Sequence, residues 1–232
     1  MTLDRFLAKH LGLNRRDARC LLFQRQVTVN GAAVSHHLHP ITPFDQIQLD
    51  GQLLQQGQAR LYFALHKPVG YVSATTDPLH PTVLDLLDHP KKKNLHLAGR
   101  LDRSSSGLVL LTNDGHWSEA ITRPAEKLEK EYLVETLDPI PPSAIARFAE
   151  GFYFPTENIH TQPASLTRLS THRARVVLTE GRYHQIKRMF HRLDGIRLRS
   201  LQRIRIGPYQ LQELGLPVGQ WRAVEAGRLR AH

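Results

Sequence analysis

The chain has 232 residues, 41% of them hydrophobic, and no run near the roughly 18 apolar residues of a membrane span, so a soluble globular protein is expected. One cysteine, Cys20, excludes an internal disulfide and fits a reducing, cytoplasmic setting. The net charge of +10 points to a polyanionic partner, and the lack of a basic amphipathic helix beside a lipidation motif favours nucleic acid over a membrane.

In chain order, Leu3, Phe6 and Leu7 have helical spacing, with Asp4 near the helix start and no apolar h-region of a signal peptide. Asn14 is a good N-cap for a second helix, with Asp17 three residues on. That helix sets Ala18, Leu21 and Leu22 on one face and Arg15, Arg16 and Arg19 on the other. Val27-Thr28-Val29 then runs into Asn30-Gly31, a strong hairpin signal, and a further strand over 46–50 closes at Gly51.

Two short helices followed by Val-Thr-Val-Asn-Gly resemble the S4 RNA-binding module. The resemblance implies a unit over residues 1–51 whose second helix and following turn carry Arg15, Arg16, Arg19 and Arg25 to RNA phosphates. Arg25 stands where that family usually has a helix-ending glycine. Residues 52–59, rich in Gln and without periodicity, read as a linker.

The second unit is expected over 60–232. Leu61 to His66 is a strand candidate ending at the Lys67-Pro68-Val69-Gly70 turn. Leu108 to Leu111 reads as a buried strand, followed by an Asn113-Asp114-Gly115 turn and a helix around Trp117 to Ile121. Strands and short helices alternate without βαβ regularity, so the fold class is α+β with a mixed, largely antiparallel sheet. Residues 173–205 hold ten Lys or Arg against two acids, Glu180 and Asp194, either a solvated basic face or a phosphate-binding one.

Chemistry concentrates in Gly99-Arg100-Leu101-Asp102-Arg103-Ser104-Ser105-Ser106-Gly107, ahead of the apolar strand. A carboxylate between two arginines and close to three serines could serve as a nucleophile or base, or could cap a turn. Gly-Arg-Leu-Asp, then Ser-Gly and Leu-Val-Leu-Leu-Thr-Asn-Asp-Gly, resembles the signature of the RsuA/RluA-type pseudouridine synthases. The resemblance implies that Asp102 is catalytic. Lys130-Glu131-Tyr132-Leu133-Val134 resembles a second motif of that family, implying that Tyr132 packs beside the target base. Glu180 to Phe190 resembles a third, implying that Lys187 pairs with Asp102, with Arg188 as the alternative, and that Ile186 is an apolar wall. Arg100, Arg182, Gln185 and Arg188 join these as implied substrate contacts.

With Lys67 to Tyr71 and His80 to Leu84, the resemblance covers nearly the whole chain. Tyr183-His184 before Gln185 places it nearest the RsuA branch, which implies uridine 516 of small-subunit ribosomal RNA as the target, with the large-subunit enzymes as the nearest alternative. A non-catalytic, ribosome-associated RNA binder is the rival from another class. Isomerising uridine involves no net redox change and no group transfer, so no cofactor is expected. The partner implied is ribosomal RNA, within a partly assembled particle or free, bound by a monomer. His36, His37 and His39 lack a nearby Cys or paired carboxylate, so no metal is expected.

Overall fold

In the computed structural model, which describes residues 1–24, 26–123 and 128–227, the chain opens with two helices, Leu3–Leu11 and Arg15–Phe23. The first starts where the Leu3 and Asp4 amides donate to the carbonyls of His39 and His37, at 2.9 and 3.2 Å. The histidine run thus supplies backbone acceptors to the free N–H groups of a helix end. The helix stops at Gly12, whose φ of +67° is left-handed. Asn14 caps the second helix, its side chain accepting from the Asp17 amide at 3.0 Å. Leu3, Leu7, Ala18 and Leu22 pack on Val27 and Ile47. Each fully buried leucine contributes about 1.5–3 kcal/mol.

The first unit runs from Met1 to Arg60 and the second from Leu61 to His232. In the first, strands Val27–Val29, Ala32–Ala33, Ile47–Leu49 and Gln52–Gln55 form an antiparallel sheet in the order 32–33, 27–29, 47–49, 52–55. Asn30 and Gly31, at φ +52° and +81°, make the expected tight hairpin turn. Asp50 and Gly51 repeat it at +49° and +80°. Residues 52–55, expected as part of a linker, are therefore a strand. Main-chain pairing needs no side-chain periodicity, and Gln55 is tied in by Nε2 bonds to the carbonyls of Thr42 and Asp45, at 2.8 and 2.7 Å.

The second unit is built on one mixed sheet. Its main path runs Ser165–Arg168, Arg173–Leu178, Lys130–Thr136, Leu198–Ile206, Ser106–Thr112, Tyr62–Lys67, Trp221–Ala223. The pairing is antiparallel except where Leu198–Ile206 runs parallel to Ser106–Thr112, with Arg203 opposite Gly107. Ser106–Thr112 is covered on both sides, which is why it reads as a continuous apolar run. Leu108 and Leu110 pack with Trp117, Ile121 and Ile206, while Val109 joins Tyr132, Val134 and Phe148. Helix Gln185–His191 buries Ile186, Met189 and Phe190 in the latter cluster, and this anchors the helix turn that carries Lys187.

Candidate active site

The segment bearing Asp102 is a loop between His96–Leu97 and Ser106–Thr112, and its carbonyls are held by donors from distant parts of the chain. The buried Ser73 hydroxyl grips Leu101 from both sides, donating to its carbonyl at 2.8 Å and accepting from its amide at 3.0 Å. Lys67 Nζ donates to the carbonyl of Ser105 at 2.7 Å, and the Gly70 amide to that of Arg103 at 2.8 Å. Arg203 Nη1 donates to the carbonyl of Arg100 at 3.2 Å. The Lys-Pro-Val-Gly turn is therefore a clamp on this loop. Burial pushes the Lys67 ammonium down to about 8, against the pull of the Asp102 carboxylate; Arg203 and Lys187 add to the lowering.

Asp102 is itself about one-quarter exposed and faces two basic groups. Lys187 Nζ lies 2.7 Å from Oδ2 and also donates to the Ser104 hydroxyl at 2.9 Å. His184 Nε2 lies 3.2 Å from Oδ1. His184 adopts a left-handed backbone, φ +48°, an uncommon conformation for a residue with a side chain. Its ring stacks on the exposed Tyr183 ring at 3.8 Å.

Asp102 lines a pocket together with Arg100, Lys130, Tyr132, Ile186 and Arg203. Leu101, Leu178, Ile186 and Leu201 supply its apolar walls. Tyr132 is buried in the strand Lys130–Thr136 and both lines the pocket and packs in the core. Lys130, on the same face of that strand, is buried; desolvation first, then Arg203, pushes its ammonium down to about 8, against the pull of Glu180. An anionic oxygen, an aromatic side chain and apolar walls thus converge on one concavity.

Not every expected contact lies there. Arg188 turns away from Asp102: it forms a two-pronged pair with Glu157 at 2.7 and 2.6 Å and sits 3.7 Å from the centre of the Phe154 ring. Helix geometry explains this, since adjacent positions point about 100° apart. Arg182 and Gln185 do line the pocket, but both also bind Glu180, Arg182 through Nε at 3.0 Å. Arg15 and Arg19 hold the buried Asp4 carboxylate at 2.9 and 3.2 Å while remaining partly exposed. Burial alone would raise Asp4, but hydrogen bonds from Thr2, Arg15 and Arg19 together hold it well below the carboxylate range. Arg16 is exposed, and Arg25 lies outside the described residues.

The basic segment is largely neutralised by acids from elsewhere. Arg175 pairs with Glu131, Arg197 with Asp138, and Arg205 with Glu129 and Glu131. The exposed pairs among these, such as Arg197 with Asp138, are worth about 0–1 kcal/mol each, so they remain open to exchange for phosphate oxygens.

Sequence reasoning passed over Lys67, Ser73, Lys130, His184 and Arg203 as individual groups. Lys67, Lys130 and His184 stood inside the family-like motifs, and a lysine at the end of an apolar strand was an available signal. Ser73 and Arg203 gave none, because their partners are 28 and 95 residues away in the chain.

Residues 61–192 match the family model described as RNA pseudouridylate synthase. The chain is 46% identical over 226 residues to a "Ribosomal small subunit pseudouridine synthase A" of Pseudomonas aeruginosa, covering 97% of each. It is 41% identical over 222 residues to the protein of the same name from Escherichia coli, covering 96% of this chain and 95% of the relative. A solved structure titled "Crystal structure of pseudouridylate synthase" superposes with a TM-score of 0.69 at 39% identity, covering 97% of this chain and 96% of the other. With Asp102, Tyr132 and a basic partner gathered in one pocket of this mixed sheet, the chain belongs to the RNA pseudouridylate synthase family.

Proposed function

We propose that the protein converts uridine 516 of small-subunit ribosomal RNA to pseudouridine. Asp102 is the reacting carboxylate, Tyr132 the platform for the detached uracil, and Lys187 the cation that orients Asp102. The observation that carries this reading is the 2.7 Å Asp102–Lys187 pair at a pocket walled by Tyr132 and Ile186. The relatives' names, over nearly their full length, support the small-subunit target.

The reaction breaks a C1′–N1 bond and makes a C1′–C5 bond without net redox change, which this chain's own groups can serve. Reaching C1′ within folded RNA requires flipping the nucleotide out, at a cost of a few kcal/mol. Phosphate contacts from exposed arginines offset that cost. The first unit, read as an S4-type module, adds Arg16 and the exposed parts of Arg15 and Arg19 as a second hold. The setting is the cytoplasm, the acting form a monomer, and the preferred substrate a large RNA fragment or partly assembled particle, because shape rather than short sequence is read.

The test offers 16S and 23S ribosomal RNA, free and in partly assembled particles, and locates the product base. A single new pseudouridine at position 516 of 16S RNA is expected. Product in 23S RNA alone would move the target to the large subunit and leave the chemistry intact.

A further inference from the structure

Arg203 lies where the parallel strands Leu198–Ile206 and Ser106–Thr112 meet, and it lines the same pocket as Asp102 and Tyr132. Only 2% of the residue is exposed. Nε donates to the Leu108 carbonyl at 2.8 Å and Nη1 to the Arg100 carbonyl at 3.2 Å. Nη2 is buried and, among the described residues, has no acceptor. No carboxylate pairs with this guanidinium among the described residues, although a buried cation without one is costly. A second buried cation, Lys130, lines the pocket and, among the described residues, donates only to the Leu128 carbonyl, at 3.3 Å. Ser105 Oγ, also buried and in a residue that lines the pocket, has no hydrogen-bond partner among the described residues.

With Arg182 paired to Glu180, the pocket lining still holds Arg100, Lys130, Lys187 and Arg203 against one lining carboxylate, Asp102, which Lys187 already occupies. That excess suits a ligand that presents acceptors and becomes negative during reaction. A uracil base does so. When C1′–N1 breaks, its electron pair goes to the ring and spreads over N1, O2 and O4. When C1′–C5 forms, the pair makes the new bond, and the proton displaced from C5 is balanced by the one gained at N1.

We propose that Arg203 is a uracil-binding residue whose Nη2 donates to a carbonyl oxygen of the target base, O2 or O4, and holds the negative charge that gathers there as C1′–N1 breaks. Its own proton stays in place throughout. This rests on the uridine-to-pseudouridine reading of the pocket and adds the group that receives the base. Preorganised donors aimed at developing charge are usually a large part of catalysis. Nε and Nη1 fix the guanidinium in its plane and leave Nη2 to the substrate.

The test uses single turnover of the full chain on a small-subunit RNA fragment carrying uridine, 2-thiouridine or 4-thiouridine at the modified position. A thiocarbonyl is a weak acceptor. In the wild type, one of the two sulfur substitutions should slow cleavage about tenfold. In Arg203→Gln, uridine should react about a hundredfold more slowly and the same sulfur substitution should cost little more, as expected for two ends of one interaction. Arg203→Lys keeps a buried cation and carries the same comparison if the Gln variant does not fold. Equal sulfur penalties in wild type and variant overturn the proposal, as does the absence of any penalty in the wild type alone. Failure of the wild type to convert unmodified uridine in this fragment would instead overturn the target, and the sulfur comparison would then be run on whichever RNA it converts.

Discussion

Gly107 lies against the backbone of Arg203 so closely that a Cβ on it would stand 2.2 Å from the Arg203 carbonyl oxygen and 2.5 Å from its amide nitrogen. Its φ of +111° is also one that a side chain disfavours. Only glycine lets the two parallel strands meet there, and the meeting sets both Arg203 and the start of the strand that follows Asp102. Gly107→Ala should therefore destabilise the second unit by roughly 2–4 kcal/mol and lower activity further than the stability loss explains. Denaturant unfolding and single-turnover rates check this; wild-type values for both would show that the junction yields.

Asp102→Asn should abolish pseudouridine formation while RNA affinity, measured by filter binding, stays near wild type. Turnover close to wild type would remove Asp102 from the chemistry.

Lys187→Met takes away the cation 2.7 Å from Asp102 and should cost on the order of 10²-fold in single-turnover rate. Arg188→Met, which breaks the Glu157 pair instead, should leave that rate within a few-fold. The reverse ranking of the two variants would argue against the observed pairing.

Lys130 and Lys67 are pushed down to about 8 in the folded chain, against an ordinary 10.5. Between those values the unfolded chain binds protons that the folded chain lacks, so stability should rise with pH from about 8 towards 10. Above 10, Tyr209, raised to about 12 mainly by burial, works the other way, because the folded chain then keeps a proton the unfolded chain loses. Lys130→Met should flatten the rise between pH 8 and 10 by roughly 1–3 kcal/mol, read from urea midpoints. An unchanged slope would mean that Lys130 keeps its proton throughout.

Asp4 is fully buried and held by Arg15, Arg19 and Thr2, with its folded pKa well below the ordinary 3.8. Its contribution is present above that ordinary value and is lost as pH falls below it. Asp4→Asn should destabilise the first unit by roughly 1–3 kcal/mol at neutral pH and remove part of its acid sensitivity. The same pairs complicate RNA-binding tests at Arg15 and Arg19. Arg16→Ala is the cleaner probe: it should weaken RNA binding and reduce the salt slope by about one phosphate contact. Unchanged affinity would count against an RNA role for this face.

What the sequence by itself determined is what near neighbours decide. Asn14 caps a helix, Asn30-Gly31 turns a hairpin, and the run from Leu108 to Leu111 is a buried strand, because these preferences act within a few residues. Asp50-Gly51 carried the same turn signal as Asn30-Gly31, and reading it would have replaced the linker with a fourth strand. The motif around Asp102 was legible for the same reason, as one continuous stretch. Tertiary structure chose Lys187 over Arg188 as the cation facing that acid, and it alone decided which donors clamp the loop and which acids neutralise the basic segment. Lys67 before it and Lys187 and Arg203 after it lie far from Asp102 along the chain, and Glu129, Glu131, Asp138 and Glu157 reach their arginines only once the strands and helices are assembled. A charge count along the chain records how many groups there are, but electrostatic and hydrogen-bond energies depend on distances across space, which the order of strands in the sheet sets.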